Sequence, residues 1–449
     1  MNHTRGHRRV FAAIGIGFAM IATACGSDGD SASTTVAPTT VATTAATTAP
    51  TTADTTADTT ADTTAPTTAE TTGATTADSA TGGSTTDGTA GGSDLVLTEP
   101  VKIALLIPQT GASAIPEVFE DPMEMAVKQI NADGGIGGFD VEYTTYDTGF
   151  TPEQGTAALR QALKDKPTVL MGYAITSQVL AASDLLNEAK IPLIHFSAAD
   201  ETNISAGGSP WTFRVKLQNS TQAAASAQFL MDELGAKKFG IMYTNSAYGT
   251  TARDAAQAVI EAGGGEVIAD RSYAQDATDL TEQVLAMEGA DVVLNWGFPN
   301  TIGLQLNQMF QNGIDIPTMD SDSSILTYEN QLADADAMTK FYGAVVCNPS
   351  GDSRESARDW ASTFEKQYGY NPDANSAFTW DSVYLYKLAI EAAGSADGEA
   401  IKTALESVSW DGGVCQTHYE TDENHNLSHD TSIVFLGGGK RETVAVTKG

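Results

Sequence analysis

The chain has 449 residues, of which 57 are acidic and 24 are basic, so its formal net charge at pH 7 is −33. The acidic excess is not confined to the N-terminal region, because residues 94–449 hold 49 acidic and 21 basic side chains. A surface of this charge repels phosphate backbones, which argues against nucleic acid as a partner.

The N-terminus has the pattern of an export signal. Three arginines within the first nine residues precede an apolar segment at 10–22, which is too short for a permanent membrane span. The sequence Ala-Thr-Ala-Cys at 22–25 resembles a bacterial lipobox, in which the signal is cleaved before the cysteine and the thiol receives a lipid. Residues 1–24 are therefore predicted to be a signal peptide and Cys25 a lipidation site. The alternative is an ordinary secretory signal followed by an incidental cysteine.

Residues 25–98 have the composition of a tether. They are mostly Thr, Ala, Asp, Ser and Gly, and the sequence TTAD recurs from Thr51 onward. Without a periodic apolar face, such a segment cannot bury enough surface to fold. We expect a disordered spacer that holds a folded module away from the membrane; the alternative is low-complexity sequence with no role.

The folded module begins with a predicted strand, helix and strand. An apolar run at 103–107 is followed by turn residues at 108–111, and apolar residues then recur at helical spacing over 123–130. The glycine-rich sequence INADGGIGG at 130–138 ends the helix, and apolar and polar residues alternate over 141–145. Crossovers of this kind make parallel sheets.

The same alternation continues to the C-terminal end. Further strands are predicted at 169–171, 193–196, 239–243, 266–269, 292–296 and 342–346. Helical patterns lie between them, at 179–186, 221–234, 250–262, 280–287 and 302–310. About 350 residues of alternating elements exceed one comfortable core, so two α/β lobes are expected.

Several segments carry a family resemblance. Pro-Gln-Thr-Gly at 108–111, INADGGIGG at 130–138, SPWTFRV at 209–215, SAYG at 246–249 and AFTWDSVY at 377–384 resemble bacterial solute-binding proteins of the branched-chain amino acid family, the capture subunits of ABC importers. The resemblance implies the type I periplasmic binding protein fold. In this α/β fold two Rossmann-like lobes, each with a parallel central sheet, are joined by crossover strands. It places lobe 1 at 99–218 plus 348–420 and lobe 2 at 219–347 plus 421–449.

Candidate ligand contacts in lobe 1 follow its strands, because ligands of open α/β sheets bind at the carboxyl ends of strands. They are Gln109, Thr110, Ile115, Ala174, Ile175, Thr176, Ser177, Ser197, Ala198 and Ala199. Thr176 and Ser177 combine hydroxyls with a helix start that could hold a carboxylate, and simple N-capping is the alternative. By the resemblance, Ile175 and Ala199 replace two hydroxyl residues of amino-acid-binding relatives, which argues against an ordinary leucine-like ligand.

Candidate contacts in lobe 2 are Tyr248, Phe298 and Asp322. The resemblance makes Tyr248 a cover over the ligand and Asp322 the partner of a substrate ammonium; the alternatives are packing for Tyr248 and a solvated turn for Asp322. Trp296 precedes Phe298 and either joins an apolar wall or packs in the core.

Cys347 and Cys415 are the remaining cysteines, and an exported module would sit in an oxidising compartment, so we expect them to pair. Two buried free thiols are the alternative.

No enzyme or cofactor motif is present. The sequence lacks a G-x-S-x-G elbow, an HExxH motif and a phosphate loop, and its glycine cluster ends a helix rather than opening one. His418, His425 and His429 lie among acidic residues, but their spacing fits no familiar metal site and favours a solvated hairpin. No catalytic residue, metal or cofactor is therefore predicted.

These observations predict a monomeric, lipid-anchored receptor on the outer face of a bacterial cell membrane. It would capture an amino acid or a related small acid or amide and hand it to an ABC permease. Two other functions compete with this one: a sensory module that reports ligand without transport, and an exported hydrolase on a similar fold.

Overall fold

The computed structural model describes residues 97–111 and 114–447. The predicted signal peptide, Cys25 and the tether up to residue 96 lie outside the described residues. The strands are β1 (Val101–Ile107), β2 (Val141–Asp147), β3 (Val169–Gly172), β4 (Leu193–His195), β5 (Thr212–Arg214), β6 (Lys238–Thr244), β7 (Glu266–Tyr273), β8 (Val292–Trp296), β9 (Thr318–Asp320), β10 (Phe341–Val345), β11 (Ser409–Trp410), β12 (Tyr419–Glu420), β13 (Thr431–Phe435) and β14 (Glu442–Thr447). The helices are α1 (Glu117–Ala132), α2 (Pro152–Lys164), α3 (Thr176–Ala189), α4 (Asn219–Leu234), α5 (Ala247–Ala262), α6 (Thr281–Leu285), α7 (Pro299–Gln311), α8 (Ser323–Glu329), α9 (Glu355–Tyr368), α10 (Ala374–Ala393) and α11 (Gly398–Leu405).

The first unit shows why these residues form a covered parallel sheet. In β1 the side chains of Ile103, Leu105 and Ile107 join the core on one face, and those of Ala104 and Leu106 join the core on the other. A strand buried on both faces is apolar throughout, which is the pattern of β1. The predicted helix forms as α1, and β2 pairs with β1 in parallel register.

Two large sheets form in the described residues, as the sequence predicted, and β11 pairs with β12 in a small third sheet. Lobe 1 has the strand order β2-β1-β3-β4-β5, with every pairing parallel, and lobe 2 has the order β14-β13-β10-β9-β8-β6-β7. In lobe 2, β13 pairs in antiparallel register with both β10 and β14. The remaining pairings of this sheet are parallel.

Helices cover both faces of each sheet. One core of lobe 1 contains residues of α1, α9, α10 and α11, and the other contains residues of α2 and α3. In lobe 2, α4 and α5 cover one face, while α6, α7 and α8 cover the other. The alternation of strand and helix therefore gives three layers in each lobe.

The chain passes between the sheets three times: after β5, after β10 and before β13. Near the third passage, Arg214 N donates to His425 O and Leu427 N donates to Arg214 O, both at 2.8 Å. This segment therefore lies along β5, and the chain enters the second sheet at Thr431, later than the 420/421 boundary predicted from sequence.

Cys347 and Cys415 form a disulfide, with their Cα atoms 5.3 Å apart. The bond ties the second passage to the loop between β11 and β12. Within 97–111 and 114–447, no helix combines the length and apolar character that crossing a bilayer requires.

Candidate functional site

A small cavity of about 60 Å³ lies between the lobes, where loops at the carboxyl ends of the strands face each other. Lobe 1 contributes Ala174, Ile175, Thr176, Ser177 and Ala198 to its wall. Lys216, just after β5, also lines it, and lobe 2 contributes Ser246, Ala247, Tyr248, Gln275, Phe298 and Ser323. Seven of the predicted contacts therefore border one cavity.

The loop after β3 owes its course to Gly172. This residue has a φ of +121°, and a Cβ on it would lie 2.1 Å from Leu106 O, so only glycine fits. Tyr173 follows with a φ of 52°, and its hydroxyl donates to Gly155 O at 2.6 Å. This turn brings residues 174–177 and the start of α3 to the cavity.

Thr176 and Ser177 are the first two residues of α3 and do not cap it. The cap position is Ile175, which makes no side-chain hydrogen bond. Ser177 is exposed and Thr176 is buried. A helix start without a side-chain cap leaves amide groups that can bind an anion.

The loop after β4 contributes less than the sequence predicted. Ser197 is 1% exposed, and its Oγ lies 3.0 Å from His195 Nδ1. Arg214 Nη1 donates to the carbonyls of Ala198 and Ala199 at 3.0 and 2.8 Å. Only Ala198 of these three predicted contacts lines the cavity, whereas Ser197 and Ala199 are buried residues that do not line it.

The loop after β1 serves a second, outer cavity. Gln109 N and Thr110 Oγ1 donate to the Asp147 carboxylate at 2.9 and 2.6 Å. Thr110 lines a cavity of about 470 Å³ that both lobes enclose and that shares Gln275 with the inner one. Ile115 packs against the core of lobe 1. Gln109 and Ile115 are not among the residues that line either cavity.

Aromatic side chains form one wall of the inner cavity in lobe 2. The ring centroids of Tyr248 and Phe298 are 5.8 Å apart, and Tyr248 Oη donates to Ser321 Oγ at 2.6 Å. Burial raises the pKa of Tyr248 well above its ordinary value, so the phenol stays neutral. Trp296 is fully buried in the core of lobe 2, and the packing alternative holds for it.

Asp322 is buried and already has partners. Lys216 Nζ lies 3.1 Å from its Oδ2, while Gln222 Nε2 and Val346 N donate to its Oδ1 at 3.1 and 2.9 Å. Asp322 is 2% exposed, whereas Lys216 lines the cavity. Lys216 was not among the predicted contacts, although it directly follows the 209–215 segment that carried the family resemblance.

Comparison with known proteins identifies the family. Residues 100–440 match the family model described as periplasmic binding protein. The chain belongs to the periplasmic binding protein family. The predicted class, a binding protein and not an enzyme, is thereby confirmed.

Relatives and solved structures agree with this assignment. A Leu/Ile/Val-binding protein homolog from Brucella melitensis is 25% identical over 341 residues, which cover 75% of this chain and 90% of the relative. LivJ of Streptococcus pneumoniae in complex with isoleucine is similar in fold, with a TM-score of 0.71 and 22% identity over 78% of this chain and all of that one. A solute-binding protein from Rhodopseudomonas palustris in complex with 3,4-dihydroxybenzoic acid also has a TM-score of 0.71, with 18% identity, over 78% of this chain and 97% of that one. The predicted type I fold is confirmed.

Three residues of this binding protein lie near the strand ends of lobe 2 but were not among the predicted contacts. Asp320, at the end of β9, is fully buried, neither carboxylate oxygen has a hydrogen-bond partner within the described residues, and burial raises its pKa well above the ordinary value. Gln275 and Ser246 line the cavity, and both follow strands of lobe 2. The strand-end rule that selected Tyr248 could have found them too.

The three histidines near the C-terminal hairpin make separate contacts. His418 Nδ1 lies 2.6 Å from Asp411 Oδ1, His425 stacks on Phe213 with centroids 4.2 Å apart, and His429 Nε2 lies 3.1 Å from a backbone carbonyl oxygen. The part of the chain that the structure describes contains no group of three or more metal-ligating side chains.

Proposed function

We propose that this protein captures a small molecule in the inner cavity and delivers it to an ABC permease, held on the outer face of the cell membrane by a lipid on Cys25. The observation that carries the proposal is the cavity itself, whose wall comes from both lobes. A ligand there contacts both lobes at once only while they are together. Ligand binding therefore favours the closed arrangement, which the permease recognises.

A contact across the gap supports this mechanism. Thr251 Oγ1 of α5 in lobe 2 donates to Glu201 Oε1 of lobe 1 at 2.8 Å. We propose that rotation of the lobes about the three passages breaks this contact and opens the cavity. In the open form, water makes hydrogen bonds to the polar groups of the cavity wall. Closure removes this water and therefore costs free energy, which the contacts of a bound ligand offset.

The ligand is proposed to be an amino acid or a related small acid or amide, with Thr176, Ser177 and Tyr248 as contacts. Proteins of similar fold bind isoleucine in one case and 3,4-dihydroxybenzoic acid in another. The fold is thus compatible with different small acids, and the side chains around the cavity decide among them.

Thermal unfolding of the purified module with a panel of small acids, amino acids and amides tests the site. A ligand present at about 100 times its Kd stabilises the folded state by about 2.7 kcal/mol. Ser177→Ala and Tyr248→Ala, one from each lobe, should weaken that ligand, while Ser205→Ala, an exposed serine outside the cavity wall, should not. A ligand whose affinity is the same in all three variants would place its site elsewhere and refute the proposal.

The anchor is tested separately in a bacterial host. Cys25→Ala should abolish incorporation of a labelled fatty acid and move the protein from the membrane fraction to the medium. Unchanged labelling of the variant would show that Cys25 is not the lipidated residue.

A further inference from the structure

The inner cavity presents a cation where an amino-acid receptor needs an anion. Lys216 lines the wall, and its ammonium lies 3.1 Å from Asp322 Oδ2. The other oxygen of Asp322 accepts from Gln222 and from the backbone of Val346. Asp322 Oδ1 is therefore already in use, and Asp322 Oδ2, which accepts no hydrogen bond within the described residues, lies at ion-pair distance from Lys216.

A ligand ammonium would have to displace Lys216 from this pair. The side chain of Lys216 is 12% exposed and that of Asp322 is 2% exposed, so the exchange would occur in a place largely free of water. Separating a buried pair leaves one buried charge without a partner, which is strongly unfavourable. The ammonium would also lie beside the displaced lysine, whose charge has the same sign.

The rest of the wall has the electrostatics of an anion site. Residues at or next to the starts of three long helices border the cavity: Thr176 and Ser177 of α3, Ala247 and Tyr248 of α5, and Phe298 before α7. Each helix start carries a partial positive charge, which favours an anion even though the charge of Lys216 is paired with that of Asp322. The residues that line the inner cavity include no Asp or Glu.

We infer that the ligand is a carboxylate without an α-ammonium group and that Lys216 determines this specificity. Asp322 holds the lysine at the wall, and Lys216 donates to the ligand carboxylate together with the start of α3. The inference rests on the proposed function, since it assigns the ligand class of the same cavity. Gln275 lines both this cavity and the outer cavity of about 470 Å³, whose wall also includes Asp276, and we infer that the rest of the ligand extends toward the outer cavity.

Matched compounds test the inference. Calorimetry would compare 3-phenylpropionate, L-phenylalanine and phenethylamine, then 4-methylpentanoate, L-leucine and 3-methylbutylamine, together with aromatic, hydroxy and keto acids. Within a set, the carboxylate should bind at least about tenfold more tightly than the amino acid, which corresponds to about 1.4 kcal/mol. Equal or tighter binding of the amino acid overturns the inference, as does the absence of binding by every carboxylate.

Variants assign the effect to Lys216. Lys216→Met leaves Asp322 buried without its cation, so the double variant Lys216→Met/Asp322→Asn is the matched form in which neither charge remains. Both should lose at least about tenfold in carboxylate affinity, while Lys216→Arg should keep most of it. Retained carboxylate affinity in the double variant, with an unchanged circular dichroism spectrum, overturns the role of Lys216.

The two proposals fail in different ways. If an amino acid or an amine binds tightly and its affinity falls in Tyr248→Ala, the proposed site between the lobes is supported and only the carboxylate inference is refuted. A carboxylate that binds equally well to Tyr248→Ala, Ser177→Ala and the double variant removes both proposals.

Discussion

Replacing Arg214 with methionine should destabilise the folded state, because this buried cation holds the loop after β4 and the third passage together. Its side chain is 1% exposed. It donates to Ala198 O at 3.0 Å, to Ala199 O at 2.8 Å and, through Nε, to Asn426 Oδ1 at 2.8 Å, and it also donates to Asn203 Oδ1. The substitution leaves these four acceptors without that donor.

The expected magnitude follows from two opposing terms. Loss of water around the guanidinium lowers the pKa of Arg214 from 12.5 to about 10, so removing the charge recovers about 3 kcal/mol at most. Each buried acceptor left without a donor costs about 1–3 kcal/mol. Asn203 Oδ1 and Asn426 Oδ1 lose their donor, whereas Ala198 O still accepts from Asn219 N and Ala199 O from Thr202 N. Each hydrogen bond lost at these two carbonyls costs about 1.5 kcal/mol. The four losses together outweigh the recovered term, and a net loss of about 2–5 kcal/mol is expected.

Urea denaturation followed by circular dichroism measures this loss. Arg160→Met, at an exposed position of α2, is the matched control and should change the free energy of unfolding by less than about 0.5 kcal/mol. If Arg214→Met unfolds within about 1 kcal/mol of the parent protein, the hydrogen bonds of Arg214 do not stabilise this region as argued. The variant should also bind ligand more weakly, since Arg214 fixes the carbonyl of Ala198 at the cavity.

Three further predictions concern single features of the fold. Gly172→Ala should cost more than about 2 kcal/mol in urea denaturation, because its φ is +121° and a Cβ would lie 2.1 Å from Leu106 O; an unaffected midpoint would contradict this. Replacing Cys347 and Cys415 with alanine should cost about 4 kcal/mol, since the bond closes a loop of 68 residues, and a reductant should then have no further effect on stability. Burial raises the pKa of Asp320, so its contribution to stability is full below the unfolded pKa of about 3.9 and is lost as the pH rises through the folded value. Asp320→Asn should therefore gain stability relative to the parent protein as the pH rises above about 4, and a pH-independent difference would show that Asp320 does not titrate as argued.

The residue pattern predicted the elements of the fold well because local physics decides them. The run at 103–107 is apolar at every position, as expected for a strand that is covered on both faces. It forms β1, which lies inside the lobe 1 sheet and is buried on both faces. The glycines at 130–138 end α1 where the backbone takes positive φ angles. The strand-end rule then located seven of the residues around the inner cavity, since the ends of parallel strands meet at one edge of a sheet.

The sequence by itself determined the α/β class, the two lobes and the family, because periodicity, turn residues and characteristic segments are local properties. Only the tertiary structure decided the chemistry of the cavity. Lys216 and Asp322 are separated by more than a hundred positions in the chain, and nothing in either neighbourhood shows that they form an ion pair. Asp322 was predicted to pair with a ligand ammonium, but in the folded protein it pairs with Lys216. The charge of a site therefore depends on residues that are distant in the sequence and adjacent in the fold.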